Sequence, residues 1–393
     1  MGRKAFVVIC ACLLILVNCS YGAWWIELSS PNPADGPFSL RWGQKEPPDA
    51  DKVPLPPRWL INGDPCCFKV GATVRLSLKQ DAPDPIHGRV VGWGVGYLTL
   101  YSRITGQVLR TYPDAYFLPA DQPYDFGPLV EWIEYAQLEM AVYVVYESGW
   151  AEEGYHGFVD EIFIVLDAPK APMDPAWVSV LRISCEWARG ESTNDGAANM
   201  LAQKLWENGE YNGGYTAFTR YVCDGSGNIS PNATEYFYLR EFIANRFVGQ
   251  CNDFADFLVC LITSVGAFQA AVQRTHPLGS GAFHTEVIDP AGSRPSQDVN
   301  WQYHQFCIYG TDVWDGCLSF VSGSPQGVPK KLARDTVYYD GLVAYYLFGQ
   351  WQPSPPGGFI PGVYASSLPQ WCSSSNPNAP CGGKGYGPNC PSS

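Results

Sequence analysis

The sequence of 393 residues predicts an α+β protein, in which an N-terminal β-sandwich is followed by an α+β domain. Two observations support this fold class. The first part has short strand-like runs separated by clusters of Gly, Pro, Asp and Asn, which is typical of a sandwich. Beyond a Pro-rich stretch at 168–177, apolar residues recur at helical spacing and strand-like runs come last, which favours helices followed by a small sheet.

Residues 1–22 have the order of a secretory signal peptide. A short basic region is followed by an apolar run at 5–17 and then by small residues. The run is shorter than the roughly 20 apolar residues that a membrane-spanning helix needs. Positions 16–19 also loosely resemble a bacterial lipoprotein signal, whose anchor would be Cys19. We therefore expect a secreted or extracytoplasmic protein without a stable transmembrane span, with attachment to the cell surface through Cys19 as the alternative.

The β-sandwich is predicted to occupy residues 23–167. Its clearest strands are runs rich in β-branched and aromatic residues at 72–78, 96–101, 138–146 and 158–166. No residues in this part have the spacing of metal ligands or of a nucleophile with its base.

The α+β domain is predicted to occupy 178–350, after the linker at 168–177. Helices are expected at 199–206, 235–247 and 252–265, and strands follow. The remaining segment, 351–393, is rich in Pro, Ser, Gly and Cys. We expect it to form a tail without a core of its own, attached by disulfide bonds.

Composition argues against nucleic-acid binding and predicts at least one unpaired thiol. The net charge of −13 argues against nucleic-acid binding, which requires clustered Lys and Arg. Of the 14 cysteines, three lie in the signal region, which leaves an odd number in an exported chain where disulfides can form. We expect Cys185 to pair with Cys223, and the vicinal Cys66 and Cys67 to belong to a disulfide framework rather than a metal site.

Cys251 is the candidate nucleophile. A turn containing Gly249 precedes it, and the apolar run at 252–265 follows at once. A cysteine at the start of a helix feels the positive end of the helix dipole, which favours the thiolate. The unpaired N–H groups of the first turn can also stabilise an oxyanion.

Two histidines downstream are candidates for the base that such a nucleophile needs. His304 begins a strand-like run, and a hairpin turning near Gly310 would bring it close to Asp315. The second candidate is His284, with Asp289 nearby. The residues alone leave both pairs open.

These motifs together resemble those of the transglutaminase-like superfamily, which includes the papain-like proteases. Its members carry Gly-x-Cys-x-x-Phe-Ala at the start of a helix, and residues 249–255 match this pattern as GQCNDFA. They then carry a His that opens one strand and an Asp that ends the next, and residues 304–315 match this second pattern. The resemblance covers about residues 201–320. It implies a transglutaminase-like α+β domain with the catalytic residues Cys251, His304 and Asp315.

The resemblance implies acyl transfer on a protein or peptide substrate, with no cofactor and no metal. Cys251 would attack a carboxamide or peptide carbonyl, His304 would protonate the leaving amine, and Asp315 would orient the imidazole. Water or an amine would then accept the acyl group. Two departures from the family are an unusually long interval before His304 and the presence of Cys307 and Cys317, which could form a disulfide across the hairpin. The alternative function is a non-catalytic extracellular binding or structural protein with the same fold.

Overall fold

The computed structural model describes most of the chain after the signal region, namely residues 24–45, 51–59, 63–152, 156–212, 218–222, 235–277, 282–292, 295–301, 303–321, 329–346, 351–365 and 386–387. Within these residues the protein has a mixed α+β structure with several sheets. The predicted signal peptide at 1–22 and the alternative lipid anchor considered at Cys19 lie outside the described residues. Among the described residues, no helix is both long enough and apolar enough to span a membrane.

The first part of the chain consists of strands, apart from a 3₁₀ turn at Pro33–Asp35. The strands are β1 (Trp24–Ser29), β2 (Leu40–Arg41), β3 (Arg58–Trp59), β4 (Cys66–Lys69), β5 (Val74–Gln80), β6 (Val90–Ser102), β7 (Val108–Thr111), β8 (Ala115–Pro119), β9 (Tyr124–Phe126), β10 (Glu134–Tyr146), β11 (Ala151–Glu152), β12 (His156–Val165) and β13 (Ala176–Trp177). The four strands that the sequence predicts most clearly are present as β5, β6, β10 and β12.

Two sheets in this part share one hydrophobic core. The smaller sheet has the antiparallel order β3–β1–β5–β9. The larger one has the order β4–β12–β10–β6–β7, with β8 paired to β6 and β11 to β10. Alternate residues of β5 are buried, as expected for a strand with one face on a core. Ile26 and Leu76 of the smaller sheet lie in the same cluster as Trp93 and Leu138 of the larger one.

The second part of the chain contains all five helices of the described residues and a set of short strands. The helices are α1 (Val178–Trp187), α2 (Asn194–Asn208), α3 (Leu239–Ala244), α4 (Cys251–Ser264) and α5 (Tyr339–Leu342), and a π-helical turn at Arg334–Tyr338 precedes the last. The strands are β14 (Glu210–Tyr211), β15 (Thr219–Val222), β16 (Glu235–Phe237), β17 (Val248–Gly249), β18 (Ala271–Pro277), β19 (Phe283–Thr285), β20 (Ile288–Pro290), β21 (Asn300–Trp301), β22 (His304–Tyr309), β23 (Asp312–Trp314), β24 (Leu318–Phe320), β25 (Leu332–Ala333), β26 (Val343–Tyr346), β27 (Trp351–Phe359), β28 (Gly362–Val363) and β29 (Tyr386–Gly387).

Helix α4 is the centre of this second part. Every one of its residues is buried, and it lies against α1, α2, β18 and β22. A helix with apolar residues on all sides is stable only when it is enclosed in this way. Gly266 ends it with a φ of 69°, in the left-handed region that favours glycine. The five-stranded sheet beside it has the order β25–β23–β22–β18–β27.

One sequence-based prediction in this part is wrong in detail. The helix expected at 235–247 is instead β16 followed by the short α3, because β16 pairs with β15 and β28, and this pairing outweighs the helical spacing of the apolar residues. The segment 351–365, the start of the predicted tail, forms β28 and β27, and β27 joins the sheet of the second part beside β18. β27 tolerates its prolines because it lies at the edge of its sheet.

The Pro-rich stretch at 168–177 contacts both parts of the chain. Lys170 donates from its backbone N–H to the Thr263 carbonyl at 2.9 Å and from Nζ to the Gly266 carbonyl at 2.5 Å, at the C-terminal end of α4. β13 pairs with β2. The hydrophobic core around α4 also includes Phe163 and Val165 of the first part. The linker is therefore bound along its length rather than extended between two separate bodies.

The cysteines of the described residues are free thiols. All are buried, and they are Cys66, Cys67, Cys185, Cys251, Cys260, Cys307 and Cys317. The predicted disulfide between Cys185 and Cys223 is therefore not formed at Cys185, and Cys223 itself lies outside the described residues. The disulfide considered for Cys307 and Cys317 is also absent, because Cys307 lies opposite Trp314 in the hairpin rather than opposite Cys317. The cysteines of the tail lie outside the described residues.

Candidate active site

Cys251 is the first residue of α4. β17 leads into Gln250, which has an extended backbone with a φ of −96° and a ψ of 174°, and the helix begins at the next residue. The Gln250 backbone N–H donates to Asp253 Oδ2 at 2.9 Å, which satisfies one of the donors that a helix start leaves unpaired. Cys251 is 7% exposed. The candidate nucleophile thus lies at the positive end of a fully buried helix.

His304 and Asp315 meet across the predicted hairpin. β22 and β23 are antiparallel, and Tyr309 pairs with Asp312 around a turn at Gly310. His304 opens β22 and Asp315 directly follows β23. His304 Nε2 lies 2.6 Å from Asp315 Oδ2, and both side chains are buried. Because α4 lies against β22, the structure brings this pair to Cys251.

The electrostatic surroundings keep the imidazole of His304 charged. Burial alone lowers the pKa of His304, but the charge of Asp315 and its hydrogen bond raise it, and so does the interaction with Cys251. Together they raise the pKa to about 9. His304 is therefore an imidazolium at neutral pH, which is the form that stabilises a neighbouring thiolate.

The ring of His304 is oriented for this pairing. Asp315 Oδ2 lies at hydrogen-bond distance from Nε2, and the other nitrogen, Nδ1, is buried and has no hydrogen-bond partner among the described residues. Nδ1 is therefore the ring nitrogen that remains available to Cys251. The indole of Trp301 stacks on the imidazole with ring centroids 4.1 Å apart and planes inclined by 23°. Stacking on one side and the carboxylate at one edge together restrict rotation of the ring.

Asp315 is held by two further donors that sequence reasoning did not identify. The Tyr338 hydroxyl donates to Asp315 Oδ2 at 2.5 Å, and the Cys317 backbone N–H donates to Oδ1 at 2.9 Å. Burial and the nearby Asp315 raise the pKa of Tyr338 well above its ordinary value, so Tyr338 stays protonated as a donor. No local motif marks Tyr338, because it comes from the π-helical turn well beyond the hairpin.

The competing histidine lies elsewhere. His284 is on β19, where its Nε2 is 3.2 Å from Asp298 Oδ2 and its Nδ1 is 3.1 Å from the Thr285 carbonyl. Asp289, the partner considered from the sequence, lies on β20, which pairs with β24. The histidine that interacts with Cys251 is His304.

Comparison with known proteins does not assign a family. No protein-family model matches the chain, and no curated protein matches it. Among the described residues, no group of three or more His, Cys, Asp or Glu side chains is placed to hold a metal ion. The chemistry of the site must therefore be argued from its own residues.

Proposed function

We propose that this protein is an exported thiol enzyme that transfers acyl groups, with a β-sandwich followed by a transglutaminase-like catalytic domain. The observation that carries the proposal is the arrangement of Cys251, His304 and Asp315. A cysteine at a buried helix start interacts with an imidazole whose pKa is about 9, and a buried carboxylate bonds the far nitrogen of that imidazole. These are the nucleophile, base and orienting group of a thiol acyl-transfer site.

The reaction follows from these positions. The Cys251 thiolate attacks the carbonyl carbon of a carboxamide or peptide bond, and a tetrahedral oxyanion forms. The backbone N–H groups of Cys251 and Asn252, in the first turn of α4, have no partner within the helix and can bind that oxyanion. His304 gives its proton to the leaving nitrogen, the C–N bond breaks, and a thioester remains on Cys251. Water or an amine then attacks the thioester while His304 takes up a proton, which releases the product and restores the thiolate.

The substrate is proposed to be a protein or peptide, and an assay with two acceptors tests the proposal. The full-length protein is given a glutamine-containing peptide with and without a primary amine, and ammonia, cleavage products and incorporated amine are measured. We expect at least one product from the wild type and none from Cys251→Ala. Incorporated amine identifies a transferase, whereas products formed only with water identify a hydrolase. If no peptide reacts and Cys251 titrates like an ordinary thiol of pKa ~8.5, the proposal is wrong.

A non-catalytic role is the second candidate, and one observation favours it. His304 is completely buried and Cys251 is nearly so, and a substrate must reach both. A binding or structural protein could retain such a closed site without using it. If Cys251 in the folded wild type does not react with iodoacetamide between pH 6 and pH 8, this second function is supported.

A further inference from the structure

Asp253 binds an unusually large number of donors for a single buried carboxylate. Its Oδ1 accepts from the backbone N–H groups of Phe218 and Thr219, both at 2.8 Å, and from the Thr219 hydroxyl at 2.9 Å. Its Oδ2 accepts from the Gln250 N–H at 2.9 Å. The side chain is completely buried. Backbone donors of this kind suit an ionised carboxylate, which only accepts hydrogen bonds.

The glycine of the cysteine motif is explained by the same carboxylate. A Cβ atom at Gly249 would lie 2.7 Å from Asp253 Oδ2, 2.8 Å from Phe242 Cε2 and 3.0 Å from Asp253 Cβ. The first two distances are too short for a non-bonded contact. Gly249 is therefore required because Asp253 and the ring of Phe242 together occupy the space beside the turn that leads into Cys251. Gly249, before the nucleophile, and Asp253, after it, are therefore in close contact, and each restricts which residue can stand at the other position.

The hydrogen bonds continue from Asp253 to the strand of the base. The Thr219 hydroxyl also lies 2.6 Å from Asp256 Oδ2, one turn further along α4, so its single hydrogen is shared between the carboxylates of Asp253 and Asp256. Asp256 Oδ1 accepts from Gln305 Nε2 at 3.4 Å, and Gln305 is the neighbour of His304 on β22. The Gln305 side chain in turn accepts from Arg274 Nη2 at 3.2 Å across the paired strand β18. All of these side chains are buried.

We propose that Asp253 is a positioning residue for the thiol site. Its carboxylate attaches the turn before Cys251 to β15, and the bonds through Thr219 and Asp256 connect that turn to the strand that carries His304. The distance between the sulfur and the imidazole is set by this buried network as well as by the hydrophobic core. A displacement of the turn would weaken the thiolate–imidazolium pair. This inference rests on the proposed function, because it assumes that Cys251 and His304 form that pair.

The test measures the rate at which iodoacetamide alkylates Cys251 as a function of pH, in the full-length protein, with the modified residue identified by mass spectrometry. A cysteine that is paired with an imidazolium stays ionised and is alkylated at pH 6. Less than about 1% of an ordinary thiol is ionised at that pH, so it reacts far more slowly. We expect a plateau down to about pH 6 in the wild type. In Asp253→Asn the side-chain amide nitrogen must face a backbone N–H, and two donors that face each other displace the turn before Cys251. The alkylation rate at pH 6 should therefore fall at least about 10-fold, while the alkylation rate at pH 9 stays similar.

Asp51→Asn is the matched control for a general loss of stability. Asp51 is also a buried carboxylate, and it accepts from the backbone N–H groups of Gln44 and Lys45 and from Arg41, in the first part of the chain. We expect Asp51→Asn to lower the unfolding temperature to a similar extent while leaving the pH profile of Cys251 unchanged. A parallel change of the profile in both variants would mean that Asp253 is only structural.

A pair of variants at Thr219 keeps the inference testable if Asp253→Asn does not fold. Thr219→Val preserves shape and removes the hydroxyl, and we expect the rate at pH 6 to fall several-fold. Thr219→Ser keeps the hydroxyl and should restore the wild-type profile. If the wild type has the plateau and Asp253→Asn or Thr219→Val keeps it, the positioning role is wrong and the proposed function stands. If the wild type itself lacks the plateau, both are wrong.

Discussion

Among the side chains that the structure describes, two histidine–aspartate pairs lie in the second part of the chain, and their surroundings differ. His304 and Asp315 are 2.6 Å apart, with side chains 0% and 6% exposed. His284 and Asp298 are 3.2 Å apart, with side chains 20% and 61% exposed. An ion pair exposed to water contributes little to protein stability. In a buried pair, removal of one partner leaves the other charge buried without compensation, which is strongly destabilising.

The comparison shows that residue types alone do not identify the base. Both histidines have a carboxylate at one nitrogen, but it is His304 that also interacts with Cys251, and the pKa of His304 is raised to about 9. The hairpin places His304 beside the helix start, whereas β19 places His284 next to a carboxylate at the surface. Four predictions test whether this difference in environment is also a difference in function.

The largest expected effect is the loss of the imidazolium. In His304→Ala the thiolate loses its counter-ion, and we expect the alkylation rate of Cys251 at pH 6 to fall about 100-fold. His284→Ala should stay within about twofold of the wild type. Alkylation with iodoacetamide, followed at Cys251 by mass spectrometry, measures both. A loss in His284→Ala alone would reverse the assignment of the base.

Removal of the orienting charge should have the next largest effect. Asp315→Asn removes the negative charge that raises the pKa of His304, so less imidazolium is present at neutral pH to stabilise the thiolate. The alkylation rate at pH 6 should fall about 10-fold, while the rate at pH 9 stays similar to that of the wild type. Asp298→Asn is the matched exposed variant and should leave the profile unchanged. Equal profiles for Asp315→Asn and the wild type would contradict the role given to Asp315.

The hydroxyl of Tyr338 should have a moderate effect. Tyr338→Phe removes a 2.5 Å hydrogen bond to a buried carboxylate, which typically contributes about 1.5–3 kcal/mol. We expect denaturant unfolding to show a loss of stability of about that size and alkylation at pH 6 to slow several-fold. Tyr309→Phe changes an exposed tyrosine of the same hairpin and serves as the control. If both variants have wild-type stability, Tyr338 does not support Asp315.

The smallest expected effect is on the pH dependence of stability. The pKa of His304 is raised from 6.5 to about 9, so its favourable contribution is complete below pH 6.5 and is lost as the pH rises through 9. Relative to His304→Gln, the wild type should lose at least about 1 kcal/mol of unfolding free energy over this range. His284→Gln should keep the pH dependence of the wild type. Urea unfolding of the wild type and of His304→Gln at several pH values measures the difference in unfolding free energy. If that difference does not change with pH, His304 is not charged in the folded protein.

Local patterns in the sequence predicted the parts of the site that are local in space. The apolar run after Cys251 is α4, and Gly310 marks the turn of the hairpin that joins His304 to Asp315. Both follow from rules about neighbouring residues, namely helix starts and two-residue turns. The candidate triad could therefore be named before its geometry was known.

The supporting residues could not be predicted, because they come from distant elements. Tyr338 reaches Asp315 from a π-helical turn, and Thr219 reaches Asp253 from β15. Contacts with distant elements also explain why the helix predicted at 235–247 is wrong in part. There, the pairing of β16 with other strands outweighs the helical spacing of the apolar residues. One signal was available locally, since an acidic residue three positions after Gln250 fits a helix cap, although Gln is not among the usual first residues of such a cap.

The contact between Lys170 and the end of α4 has a practical consequence for dissecting the protein. The last carbonyls of a helix need hydrogen-bond donors, and the donor here is Lys170, which precedes the whole second part of the chain. A gene fragment that begins at Val178 would leave the buried end of this helix without Lys170 and would expose the apolar surface that meets Phe163 and Val165. The shortest fragment expected to be expressed in soluble form therefore begins upstream of β12, inside the first half of the gene.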